Sequence, residues 1–147
     1  MKPVAKRIET FSAGQAVKLS GVPYATLDYW VRSGFLSPSV EKAAGKGTDR
    51  TFSFRDVVAL RVAQRLREAG VSLESLREAV GRIRRLRSLG SASDALSSTY
   101  LLSDGRTVYE KTGDELVDLV RRPGQLAFAW FIDLRQVVVE IRKKMAA

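Results

Sequence analysis

The sequence contains no cysteine and no histidine. That absence removes disulfides, thiol redox switches, zinc fingers and the commonest general base together, so any catalysis has to rest on carboxylates, lysines or hydroxyls. Soft and imidazole metal ligands are missing as well, which leaves only an all-carboxylate site for a hard cation. A phosphate-cradling glycine loop and a convincing carboxylate pair are also lacking, so neither an enzyme nor a cofactor is expected. No apolar run approaches the roughly 20 residues of a bilayer span. The start, Met1-Lys2-Pro3-Val4-Ala5-Lys6-Arg7, lacks the apolar stretch of a signal peptide. A cytoplasmic chain with no membrane partner is expected.

What is present is positive charge, unevenly placed. The 147 residues carry a net charge of +9 and an ordinary 45% of hydrophobic residues, enough for one compact domain or two small ones sharing a core. Residues 1–90 hold 17 Lys and Arg against 8 Asp and Glu, whereas residues 91–147 hold 8 of each. The whole excess lies in the first part. A polyanion is the natural partner of such a region, because each Lys or Arg placed on a nucleic-acid backbone releases condensed counterions.

Residues 12–36 read as two short helices joined by a tight turn. Ser12 caps the first helix, with Gln15 at capping-box spacing, and the helix runs to about Leu19. Gly21 supplies the positive φ of the turn, Pro23 fits the first turn of the second helix, and Gly34 stops that helix after Ser33. Ala16 and Leu19 on the first helix, Val22 in the turn, and Leu27 and Trp30 on the second supply the inner contacts. Tyr24 and Tyr29 are either core aromatics or outward, and the outward place, where a hydroxyl can bond a phosphate oxygen, is favoured for at least one. Such a pair of helices followed by a basic loop is the outline of a winged helix-turn-helix. Residues 41–54 read as a β-hairpin whose tip carries Lys46 and Arg50, after a loose arm at residues 1–10.

Ser53 and Asp56 cap a third helix, with Val57, Val58, Leu60, Ala63 and Leu66 on its inner side and Gly70 at its end. A fourth helix starts at Ser72, keeps Leu73, Leu76, Val80, Ile83 and Leu86 at helical spacing, and ends near Leu89. Its arginines, Arg82 to Arg87, either complement the helix dipole or meet phosphate. The Ser-rich stretch 88–99 reads as a linker. Beyond it, Ser103-Asp104-Gly105-Arg106 marks a hairpin of the type I′ kind, Thr112 and Glu115 cap a short helix, and residues 125–132 read as a strand. Residues 133–144 fit either strand or helix, with a lean to helix.

The order and spacing of Gly21-Val22, Thr26-Leu27-Asp28-Tyr29-Trp30, Gly34-Phe35-Leu36-Ser37-Pro38, Arg50 before Phe52, Phe54-Arg55-Asp56-Val57-Val58 and Gly70-Val71-Ser72-Leu73 resemble the MerR family over residues 10–87. Tyr24 with Leu27-Asp28-Tyr29-Trp30, the loop at residues 43–50, Leu102-Ser103-Asp104-Gly105-Arg106 and Gly124-Gln125 are more narrowly similar to an actinobacterial, FtsR-like branch of regulators. The resemblance implies a mainly α fold with a MerR-type winged helix-turn-helix over residues 1–89. A linker at 90–99 and a small α/β dimerisation or effector region over 100–147 follow. It further implies a transcriptional regulator that binds double-stranded DNA as a homodimer, one second helix in each of two successive major grooves of an inverted repeat. RNA polymerase stands as an optional further partner.

The DNA-contacting residues expected are Tyr24, Ala25, Thr26, Asp28, Tyr29 and Arg32 on the second helix and Lys46, Thr48 and Arg50 in the wing. Many classical relatives carry arginine at the positions of Ala25 and Asp28. Asp28 either accepts from a cytosine amino group or orients Arg32, its i,i+4 partner, and the second role is favoured. Classical members dimerise through a long helix after the fourth one; here that task is expected to fall to Tyr100, Leu102, Val108, Phe128 and Trp130. Tyr109 and Phe131 belong to the same aromatic set, and a small-molecule ligand there stays open. The competing function is an antitoxin-like interaction module that binds DNA only to autoregulate.

Overall fold

Two serines begin the helices of the first half. Ser12 accepts from the Gln15 backbone N–H at 3.2 Å while the Gln15 side chain accepts from the Ser12 N–H at 2.9 Å. Ser53 and Asp56 repeat the arrangement at 3.0 and 3.1 Å, so each cap satisfies donors that a helix start otherwise leaves open. The computed structural model describes residues 10–38, 50–85, 99–113, 115 and 129–147. In it the first cap opens α1 (Ala13–Ser20), the second opens α3 (Phe54–Glu68), and α2 (Tyr24–Arg32) lies between them.

The residues just before these caps form strands β1 (Thr10–Ser12) and β2 (Thr51–Ser53), paired antiparallel with Phe11 opposite Phe52. Thr10 thus belongs to a strand and not to a loose arm; the rest of the expected arm and most of the expected hairpin at 41–54 lie outside the described residues. Among the described residues, the partner of β2 is the segment before α1. Burying both phenylalanines inside the pair ties the base of the wing to the start of the helix-turn-helix. The wing tip itself, with Lys46 and Thr48, lies outside the described residues.

Gly21 ends α1 with φ 77° and donates to the Val17 carbonyl at 2.9 Å. The Ser20 hydroxyl donates to the Ala16 carbonyl and accepts from the Val22 N–H, which closes the turn from inside. Pro23 sits at the N-cap of α2 rather than within its first turn. Gly34 (φ 79°) and Gly70 (φ 79°) follow the ends of α2 and α3, as expected.

Helix α4 (Leu73–Arg85) packs on α3 through Leu76, Ala79, Val80 and Ile83. Leu73, at helical spacing with these, is the first helical residue and is 56% exposed. Strands β3 (Thr99–Ser103), β4 (Val108–Thr112) and β5 (Trp130–Asp133) make an antiparallel sheet in the order β4-β3-β5. The pair Ser103 and Val108 closes the hairpin, so its loop has four residues instead of the two of a type I′ turn. Of residues 133–144, all but the capping Asp133 resolve as helix. Asp133 accepts from the Arg135 N–H at 3.0 Å and opens α5 (Leu134–Ala146), whose Leu134, Val137, Val138 and Ile141 are buried.

Helix α5 packs on α1 and α3, and one face of the sheet lies against α4 and α5. One buried cluster therefore runs from Phe11, Phe52 and Leu60 to Leu101, Ile132 and Ile141. The expected strand at residues 125–129 and the helix after Glu115 fall mostly outside the described residues, although Thr112 and Glu115 do exchange capping hydrogen bonds. Among the described residues no helix is long and apolar enough to cross a membrane.

Candidate nucleic-acid interface

Helix α2 is two-sided. Leu27 and Trp30 are buried, with the Trp30 ring 5.1 Å from that of Phe35, and this anchors one side to the core. On the other side Tyr24 and Tyr29 are 60% and 62% exposed, and Ala25 and Arg32 are exposed with them. The helical period puts 24, 25, 28, 29 and 32 on one stripe, so five of the expected contact residues share a surface. The stripe thus presents two large aromatic side chains that the core does not enclose.

Asp28 lies in the middle of that stripe and accepts two hydrogen bonds from arginine. Arg32 donates from Nε to Oδ2 at 2.8 Å, and Arg50 donates from Nη1 to Oδ1 at 2.7 Å. The Arg50 hydrogen bond above all, helped by the charges of Arg32 and Arg50, holds the Asp28 carboxyl below its ordinary range, although desolvation opposes it. The expected i,i+4 pair is present, and Arg50 joins it from just before β2. Arg50 is the less exposed of the two arginines, so the segment before β2 and helix α2 meet at one carboxylate.

Thr26 turns toward α3 and accepts from Arg67 Nη1 at 3.1 Å. Arg67 was not among the expected contact residues. In sequence it looks like an ordinary cation of a helix C-terminus, and its partner is 41 residues away. Arg61 is similar: it donates to the Ser20 carbonyl at 3.4 Å and lies 3.7 Å from Glu140 of α5. Two arginines of α4 also have partners within the chain. Arg82 is 3.7 Å from Glu78, Arg84 is 3.9 Å from buried Asp56, and Arg55 donates to the Arg84 carbonyl at 2.9 Å.

In the second half, Leu102 and Val108 are enclosed by the chain's own fold, so neither offers surface to another copy. Alternating apolar residues read the same in sequence whether the covering layer belongs to the chain or to a partner. Trp130 is half-buried against the core. Tyr100 stacks on Phe131 with centroids 5.2 Å apart, on the sheet face shared with Tyr109 and Lys111. Phe128 lies outside the described residues.

Residues 11–83 match the family described as "MerR HTH family regulatory protein". Uncharacterized HTH-type transcriptional regulators of Mycobacterium bovis and Mycobacterium tuberculosis are 39% identical over 107 residues, 72% of this chain and 45% of theirs. The HTH-type transcriptional regulator HmrR of Sinorhizobium medicae is 37% identical over 65 residues, 44% of this chain and 42% of its own. The chain thus spans less than half the length of the curated relatives it matches. Over residues 11–83 it belongs to the MerR family of helix-turn-helix regulatory proteins.

Proposed function

We propose that this chain is a sequence-specific, double-stranded DNA-binding transcriptional regulator that acts as a homodimer on an inverted repeat. The exposed stripe of α2 carries the proposal: Tyr24, Tyr29 and Arg32 face outward from a helix anchored by Leu27 and Trp30. A helix so anchored fits a major groove, tyrosine hydroxyls and guanidinium groups suit phosphate oxygens and guanine edges, and the basic excess of residues 1–90 supplies the attraction. Ala25, Thr26, Asp28 and Arg50 line or brace the same surface, and the reading keeps Lys46 and Thr48 as contacts expected from sequence alone. Two copies meet through the region after residue 99, where Tyr100 and Phe131 remain at the surface. The motif likeness to the FtsR-like branch belongs to this reading, and RNA polymerase enters it only at a promoter that such a dimer occupies.

The test is selection of duplexes from fragmented genomic DNA with the purified chain at two salt concentrations, followed by footprinting and by sedimentation of the complex. An enriched inverted repeat, two chains per site and a loss of about 10-fold or more in affinity for Arg32→Ala support the reading. Equal retention of all fragments at both salts overturns it.

A further inference from the structure

A carboxylate in the middle of a DNA-facing stripe is a liability, because every phosphate it approaches repels it. Asp28 occupies that position with both oxygens already accepting from arginine, at 2.7 and 2.8 Å. Each guanidinium spends one N–H on the carboxylate and keeps four, so neither arginine is consumed by the contact. The Arg32 guanidinium is exposed and the Arg50–Asp28 pair is partly buried, and ion pairs at such a surface contribute modestly to folding. Their effect is geometric. Free arginines on a flexible stem bind any phosphate within reach, whereas an arginine fixed on an acceptor holds its remaining donors in a restricted set of directions. Arg32 belongs to α2 and Arg50 adjoins β2, so the carboxylate also sets the recognition helix and the wing base in register with each other.

We propose that Asp28 is a positioning residue for DNA recognition: it clamps Arg32 and Arg50 on one carboxylate, aligning helix and wing and suppressing sequence-independent attraction. The proposal rests on the DNA-binding function above and goes beyond it, since it makes an acidic residue a determinant of specificity by restraint. It also removes Asp28 from direct base reading.

The experiment compares the full chain with Asp28→Ala, Asp28→Asn and Arg50→Ala on two duplexes of equal length, the selected repeat and its scramble. Asp28→Ala is expected to bind the scramble more tightly, to lose roughly tenfold in the ratio of the two affinities, and to steepen the log–log salt slope by about one. Asp28→Asn keeps an oxygen for Arg50 and is expected to lie between wild type and alanine. In the Arg50→Ala background the alanine change is expected to alter the ratio by less than about twofold. Equal weakening on both duplexes overturns the proposal, as does a changed preference at one base pair that persists without Arg50, the mark of direct base contact. A second arm needs no DNA: the Arg50 guanidinium NMR signals are expected to be ordered in wild type and averaged in Asp28→Ala, and equal mobility in both overturns the clamp. A wild-type chain that cannot tell the duplexes apart overturns the regulator function instead, while the NMR arm still decides the clamp.

Discussion

At the scale of single residues, Gly21 shows how a backbone requirement and a distant contact coincide. Its φ of 77° lies in the left-handed region, and a Cβ there would come within 3.2 Å of Arg61 Nη1. The same guanidinium holds the Ser20 carbonyl at the helix-turn-helix turn and faces Glu140 of α5. Gly21→Ala is expected to lower stability by about 1–2 kcal/mol through the left-handed conformation alone, with a further penalty as Arg61 shifts; urea denaturation measures it. An unchanged midpoint would show that the turn relaxes freely. The conformational half of this was legible in sequence, because a glycine before Val22-Pro23 between two amphipathic stretches has few other uses. The Arg61 half was not, and neither was the bond from Arg50 to Asp28, since nothing local marks partners 40 and 22 residues apart.

Among the elements, those specified by their own residues were read correctly and those specified by a partner were not. The two capping boxes, the inner faces of α1 to α3 and the outward tyrosines all follow from spacing within one segment. Strand β1 has three residues and exists because β2 pairs with it, so no periodicity announces it. The β3–β4 hairpin lies between these cases: its place follows from Asp104-Gly105, while its four-residue loop depends on side-chain bonds. Asp104 accepts from the backbone N–H groups of Arg106 and Thr107, both at 2.9 Å, and the Thr107 bond leads in holding its carboxyl below the ordinary range. A carboxyl with a depressed folded pKa adds stability above its unfolded value, and that stability is lost as pH falls through the folded value. The loop is therefore expected to be intact at neutral pH and to loosen on acidification below about pH 4. Amide exchange at Thr107 reports this, and Asp104→Asn is expected to remove the pH dependence from that region; a wild-type profile identical to the variant's would contradict it.

For the molecule as a whole, composition and packing divide the chain differently. The Ser-rich stretch and the change in charge place a boundary at 90–99, yet buried contacts cross it, because Ile141, Val137 and Leu134 of α5 lie in one cluster with Phe52 and Leu60. Sequence shows where character changes; which apolar face covers which is settled only by three-dimensional packing. If α5 is structural to the helix-turn-helix, removing its central side chain destabilises both halves at once. Ile141→Ala is expected to cost about 2–5 kcal/mol and to leave a single cooperative transition. The two tryptophans make this measurable, since Trp30 reports α2 and Trp130 reports the sheet. In Trp30→Phe and Trp130→Phe backgrounds, the remaining tryptophan is expected to give the same fluorescence midpoint in urea and to shift by the same amount with Ile141→Ala. Separate midpoints, with only the Trp130 signal moving, would mean that the boundary at 90–99 divides two domains that fold independently and that α5 merely rests on the DNA-binding unit.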